Sequence, residues 1–230
     1  MRRCEAFVAA GRRAGVRLYP SRFGVRMFGA KIPDKSSPQE FWRWFVSRSR
    51  AITADTKRLG SRAASRRLIV DKLGKRLAAV NEHLVHEIGM YSPETVELII
   101  SADGCKAAFP AVVALVSARP PLNGFRITAF RPRKPFPAID IYGQSIRGDA
   151  VTYRLDEADG FLDLYLRIEA DLSDEQLRVV GFLMLDMALG EFDVETGLRK
   201  IAFTRNPFDG ERPLSELTAA FDARRPLTVQ

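Results

Sequence analysis

The sequence predicts an α+β fold in which a mixed β-sheet packs against helices, and two segments lead to this prediction. In the first, residues 96–101 are a short β-rich run, residues 105–118 carry apolar side chains at helical spacing, and residues 125–130 are β-rich again. This order is a βαβ unit of ordinary size. In the second, residues 162–168 alternate between apolar and polar side chains, as in a strand that buries one face.

The two halves of this region share one order of elements. Strand, strand, helix, strand fits residues 83–130 and also fits residues 151–203. A pseudo-repeat of two ββαβ halves is one interpretation, and convergence of small α+β segments on the same order is the other. In each half we expect the first two strands to be antiparallel and the strand–helix–strand crossover to be parallel and right-handed.

The domain organisation is predicted from composition and apolar periodicity along the 230 residues. The predicted parts are an extension over 1–26, a linker over 27–37, one α+β domain over 38–206, and a closing helix with a tail over 207–230. Within that domain, N-terminal helices occupy 38–82 and the sheet halves occupy 83–142 and 151–206. The Arg, Ala, Gly and Val composition of 1–26 favours a start at Met27, and a disordered arm is the alternative.

Two helices precede the sheet. Ser36 or Ser37 is expected to cap the first helix, with Pro38 in its first turn and Glu40 close behind. This helix opens with four aromatic residues, Phe41, Trp42, Trp44 and Phe45. Their spacing requires at least one buried face, so we expect them to anchor the helix; an aromatic cage or a base-stacking platform is the functional alternative.

The second helix has an apolar stripe formed by Ile69, Leu73, Leu77, Val80 and Leu84. Residues 62–76 place six Lys and Arg side chains mostly on the other faces of this helix. Contact with a phosphate backbone is one interpretation of these cations, and a solvated helix face is the other, which we favour. Residues 82–91 either finish the helix or form the first strand.

Charge, cysteine content and hydropathy limit the class of protein. The formal charge is +8, but residues 1–82 hold 20 Lys and Arg against six Asp and Glu, whereas residues 83–230 hold 16 against 22. The longest apolar run, 179–189, is broken by Asp186 and is far shorter than the roughly 18 residues that span a bilayer. Two cysteines and two histidines predict neither a disulfide framework nor a His-based metal site, and a cytoplasmic location is the default.

One strand end carries residues that can bind an anion. Residues 101–104 follow a predicted strand and precede a helix, which is where ligands of α/β folds tend to bind. The candidate anion-binding residues are Gly104, Arg131 and Arg133. The structural alternative, which we favour, is that Asp103 caps the helix and Gly104 makes the turn. Cys105 is then a small apolar filler.

Three carboxylates are candidate catalytic residues, although the sequence contains no established catalytic signature. Asp103, Asp186 and Glu191 would supply a divalent-metal hydrolase site if the fold brought them together. Asp186 lies within an apolar helix, where a buried carboxylate needs a partner. Arg131, Arg133 or a backbone N–H group is the expected partner, and a structural ion pair is favoured over a catalytic acid.

Several motifs resemble those of an uncharacterised family of bacterial proteins. They are the Phe-Trp-Arg-Trp-Phe helix at 41–45, the Glu-Leu-Ile-Ile-Ser-Ala-Asp-Gly strand and turn at 97–104, Phe-Arg-Pro-Arg at 130–133, and Leu-Asp with Leu-Gly-Glu-Phe-Asp at 185–193. The resemblance covers about 27–206 and begins with Met27-Phe28-Gly29, so it implies a start at Met27. It implies no activity and assigns no catalytic residue.

The sequence therefore predicts a cytoplasmic, non-catalytic α+β protein that binds a protein partner or a small ligand. The first alternative is the metal-assisted hydrolase, and the weaker alternative is phosphate-backbone binding through residues 62–76. We expect no cofactor, no resident metal and no membrane association, and nucleic acid is disfavoured as a partner.

Overall fold

A computed structural model describes residues 36–58, 66–135 and 138–224 of the chain. These residues form two compact units, which meet in sequence at Phe130 and Arg131. The α+β fold class is confirmed. The predicted extension over 1–26 and most of the linker over 27–37 lie outside the described residues. The single domain over 38–206 stays a prediction.

The first unit contains three helices and three strands within its described residues. Its elements are α1 (Pro38–Lys57), α2 (Arg66–Val80), β1 (Val85–Met90), β2 (Val96–Ser101), α3 (Phe109–Ser117) and β3 (Phe125–Ala129). β2 is the central strand; it pairs antiparallel with β1 and parallel with β3. The segment 82–91, which the sequence left open between helix and strand, therefore contains a strand.

The start of α1 is set by a capping box. The Ser37 hydroxyl accepts a hydrogen bond from the backbone N–H of Glu40, and the Glu40 carboxylate accepts one from the backbone N–H of Ser37. Pro38 occupies the first turn, where its missing N–H costs nothing. These bonds hold the pKa of Glu40 below its ordinary value. The cap predicted from the sequence is confirmed.

The second unit contains, within a longer series of elements, the strand, strand, helix, strand order found in the first. Its elements are β4 (Ala138–Ile141), β5 (Gln144–Arg147), β6 (Val151–Ala158), β7 (Phe161–Ile168), α4 (Asp174–Leu189), α5 (Glu191–Gly197), β8 (Leu198–Thr204), β9 (Arg212–Pro213) and α6 (Leu217–Arg224). β6 and β7 are antiparallel, and β8 returns parallel to β7 after α4 and α5. Both units thus have the ββαβ strand pairing that the sequence predicts. β4 and β5 form a separate hairpin, and β9 pairs with β6.

Helix α4 is packed closely against the sheet of its unit. Nine of its residues are buried, from Leu177 to Leu189. A Cβ added at Gly181 would lie 2.2 Å from the Phe203 ring, so only glycine allows this approach of α4 to β8. Ser173 and Gln176 form a second capping box at the start of the helix. The apolar helix that the sequence predicts around Asp186 is confirmed.

The helix predicted after β2 is present but differs in its first turn, and the predicted cap is wrong. The helix expected from residue 105 begins as an α-helix only at Phe109, because Pro110 suits a first turn, and a 3-10 turn over Lys106–Ala108 precedes it. Asp103 does not cap this helix: its φ is 51°, in the left-handed region, whereas a capping residue is extended. Its backbone N–H instead donates to the Ser101 hydroxyl at 2.9 Å.

Candidate functional site

The polar residues that the sequence singled out in the second unit gather at the C-terminal end of α4. The last carbonyl groups of a helix have no partner within the helix and must find one elsewhere. The backbone N–H of Lys134 donates to the Met187 carbonyl at 2.8 Å, and the Arg133 Nε donates to the Leu189 carbonyl at 2.9 Å. The segment 131–134 therefore caps α4, and its two arginines place positive charge at the negative end of the helix dipole.

Arg133 is held by two carboxylates as well as by the helix. Both of its terminal nitrogens donate to Asp222 at 2.8 Å, and Nη2 also lies 2.9 Å from Asp193. The hydrogen bonds to Asp222 are the main reason that the pKa of the guanidinium lies above its ordinary value. Arg133 thereby links the end of α4 to α5 and α6. Arg133, which the sequence singled out as a candidate anion-binding residue, is thus already bound to two carboxylates of the protein.

Glu191 is fully buried and pairs with the backbone of Arg131. The Glu191 N–H donates to the Arg131 carbonyl at 2.9 Å, while the Arg131 N–H donates to the Glu191 carboxylate at 3.1 Å. Gly190, between the two helices, has a φ of 81°, and a Cβ there would approach the Arg131 carbonyl to 3.3 Å. The Leu-Gly-Glu sequence therefore fits a sharp turn that is hydrogen-bonded to the backbone of Arg131.

Asp186 has the buried ion pair that the sequence predicts. Only 3% of its surface is exposed, and its carboxylate lies 3.6 Å from Nη1 of Arg131. Arg131 is therefore the partner. The other candidate, Arg133, binds Asp193 and Asp222.

The three candidate catalytic carboxylates are distributed over both units. Asp186 and Glu191 lie in the second unit, and both contact Arg131. Asp103 and Gly104 lie in the first unit, on the turn after β2, and both have positive φ. Within 36–58, 66–135 and 138–224, no group of three or more His, Cys, Asp or Glu side chains is placed to hold a metal ion.

A groove adjoins the cap on the second unit. Its volume is about 430 Å³, and its lining includes Lys134, Pro135, Met187, Leu214, Ser215 and Thr218. The Thr218 hydroxyl donates to the Ala188 carbonyl at 3.0 Å, so the floor includes the last turn of α4. Sequence reasoning missed both this groove and the role of Asp222. No local pattern marks either, because the groove joins residues from four separate segments.

The first unit contains a buried histidine with an orphan nitrogen. His86 on β1 is 5% exposed, and its Nε2 has no hydrogen-bond partner among the residues that the structure describes. Its Cε1 would lie 3.8 Å from a Cβ added at Gly74 of α2. Burial lowers the pKa of His86 from 6.5 to about 4, a shift that the nearby Glu87 carboxylate opposes.

We expect this histidine to make the fold sensitive to acid. The unfolded chain takes up a proton near pH 6.5 and the folded chain only near pH 4, so stability present above pH 6.5 is lost as the pH falls through this window. The shift corresponds to about 3 kcal/mol of unfolding free energy. Urea titrations of wild type and His86→Leu between these pH values measure it, with His83→Gln as the control. If wild type and His86→Leu lost stability in parallel, the histidine would not be responsible.

The fold and the site together define an α+β protein of two compact units, with an ion-pair cluster that caps a largely buried helix beside a groove. No protein-family model, curated protein or solved structure matches this chain. The resemblance to a bacterial family therefore stays a prediction. None of the helices in the described part of the chain combines the length and the apolar character that crossing a membrane requires.

Proposed function

We propose that this protein is a non-catalytic binding protein that takes a small ligand in the groove beside α4. The groove volume of about 430 Å³ carries this proposal, because it falls within the range of roughly 300–1,000 Å³ that is typical of ligand sites. Its position supports the proposal as well. The cap fixes the backbone of 131–134 on one side of the groove, so this wall is formed before a ligand arrives.

The lining supports a mainly apolar ligand with one hydrogen-bonding group. Met187 and Leu214 are apolar residues of the lining, and Lys134 and Ser215 are lining residues whose side chains can donate a hydrogen bond. An acceptor on the ligand, such as a carbonyl or an acidic oxygen, would suit these two donors. The acids around the cap have structural partners, which supports binding without catalysis.

The dye 8-anilinonaphthalene-1-sulfonate is a suitable probe, because it joins an aromatic body to acidic oxygens. We expect saturable one-site binding to the native protein by isothermal titration calorimetry. Ser215→Trp should fill the groove and weaken this binding by about tenfold or more. Ser145→Trp is the matched control, since Ser145 is also exposed but lies on the β4–β5 hairpin. Absence of saturable binding, or equal weakening in both variants, would refute the groove as the site.

The hydrolase and protein-partner alternatives remain hypotheses. The hydrolase would use Asp103, Asp186 and Glu191, and in the second unit the latter two already contact Arg131. A partner protein that displaced the dye from the groove would support the same site with a macromolecular ligand. The cytoplasmic location is part of this proposal.

A further inference from the structure

Helix α1 of the first unit carries a row of cations on its solvent face. Arg43, Arg50 and Lys57 are all exposed and follow one another at intervals of seven residues. Ser47 and Ala54, which lie between them on the same side, are also exposed and are small. We call Arg43, Arg50 and Lys57 the cationic stripe.

The geometry of the helix makes the stripe straight. Seven residues turn an α-helix by almost two full turns, so the three side chains project from one side, and the outer two lie about 21 Å apart along the axis. The opposite side is buried through Phe41, Trp42, Phe45, Ile52 and Thr56. Because these anchors fix the rotation of α1, the stripe cannot turn inward.

The helix that carries the stripe offsets only part of its charge, at Arg43, whose charge is among the causes that lower the pKa of Glu40 one turn away. α1 contains two acids: Glu40 is bound in the capping box, and Asp55 lies 3.8 Å from Arg58. Within the described ranges, no salt bridge joins a carboxylate to Arg43, Arg50 or Lys57. A straight row of three exposed cations, none of them in a salt bridge within the described residues, therefore lies on this helix.

The first unit carries further exposed cations on α2. Lys72 and Lys75 of α2 are exposed, and the Arg76 guanidinium lies over the Trp44 ring of α1 at 5.4 Å. In contrast, residues 131–224 hold 12 Lys and Arg against 18 Asp and Glu. A large polyanion would therefore be attracted to the first unit and repelled by the second.

We propose that the cationic stripe binds the phosphate backbone of a nucleic acid duplex, without reading its sequence. A duplex presents about one phosphate charge per 1.7 Å of axis, or about 12 along the 21 Å of the stripe. The stripe and the duplex are both straight and rigid, so little conformational entropy is lost when they bind. A membrane is a poorer fit, because interfacial helices insert large apolar side chains and the stripe is flanked only by Ser47, Ala54 and the half-exposed Val46. Exposure of the stripe reverses the sequence-based preference against nucleic acid.

Salt dependence of binding tests this proposal with the full chain. Fluorescence anisotropy would follow a labelled 20-base-pair DNA duplex, an RNA duplex of the same sequence and the single strands over a range of salt concentrations. We expect at least one duplex to bind more tightly than its single strands. The triple variant Arg43→Gln, Arg50→Gln, Lys57→Gln should lower the slope of log K against log salt by about 2–3, since each phosphate contact contributes about 0.9.

The matched control removes three exposed cations elsewhere, by Lys106→Gln, Arg178→Gln and Lys200→Gln. It should keep the wild-type slope, and circular dichroism should show both triple variants folded. If the two triple variants weakened duplex binding equally, the effect would depend on net charge alone, and the proposal would be overturned. Failure to bind either duplex at low salt, single-strand binding as tight as duplex binding, or tighter binding to phosphatidylserine vesicles would also overturn it. The groove plays no part in these outcomes.

Discussion

Trp42→Ala is expected to cost about 3–5 kcal/mol of unfolding free energy, because it empties a large buried site in the first unit. Trp42 is 2% exposed and contacts Phe41 and Phe45 edge to face, with ring centroids 5.0 and 5.4 Å away. Its Nε1 also donates to the Leu115 carbonyl at 2.7 Å. That carbonyl lies in the last turn of α3, where helix carbonyls lack internal partners. Trp42 therefore both fills the core and caps a helix.

Two further variants separate these contributions, measured by chemical denaturation. Trp42→Phe keeps most of the apolar volume and loses the hydrogen bond, so we expect a cost of about 1–3 kcal/mol. Trp44→Ala is the matched control, since Trp44 belongs to the same aromatic run but is only half-buried. If Trp42→Ala and Trp44→Ala were both as stable as wild type, the aromatic run would not be an anchor, and a ligand platform would be favoured.

Asp186→Ala is expected to destabilise the protein by about 3–5 kcal/mol, because it removes one member of a buried ion pair and leaves the charge of Arg131 behind. Asp186→Asn should cost less, since it keeps the shape and part of the hydrogen bonding. Asp149→Ala is the control: it breaks an exposed pair with Arg147 at 2.9 Å and should leave the denaturation midpoint unchanged. A stable Asp186→Ala would contradict the structural role of the ion pair.

The same variants test the hydrolase alternative. Isothermal titration calorimetry with magnesium, manganese and calcium should show no affinity that depends on Asp186. A wild-type protein that bound one of these ions, with the affinity lost in a folded Asp186→Asn, would assign this carboxylate to a metal site. Metal binding, and not the ion pair with Arg131, would then be the main role of Asp186.

Most local structure could be predicted because it depends on residues that are close in sequence. The capping boxes at Ser37 and Ser173 need partners only three residues away, and the alternation of β7 is visible within eight residues. The strand pairing of both ββαβ halves also follows, because consecutive strands and crossovers have few arrangements. The expected burial of Asp186 also predicted a long-range contact, because a carboxylate within an apolar helix needs a partner. Arg131 is that partner.

The rest depended on tertiary packing. Arg133 and Asp222 are 89 residues apart, and the groove joins four segments, so no periodicity relates their residues. The packing of helices on sheets decides which of the two arginines pairs with Asp186. It also decides which faces of α1 remain exposed. The order and periodicity of apolar residues determined the α+β class, and the charge count determined that residues 1–82 are basic. Only the tertiary structure shows that the acids of the second unit stabilise the C-terminal end of α4 and that the cations of α1 face solvent. The physical reason is that the partners of a side chain depend on the surface against which its helix or strand packs.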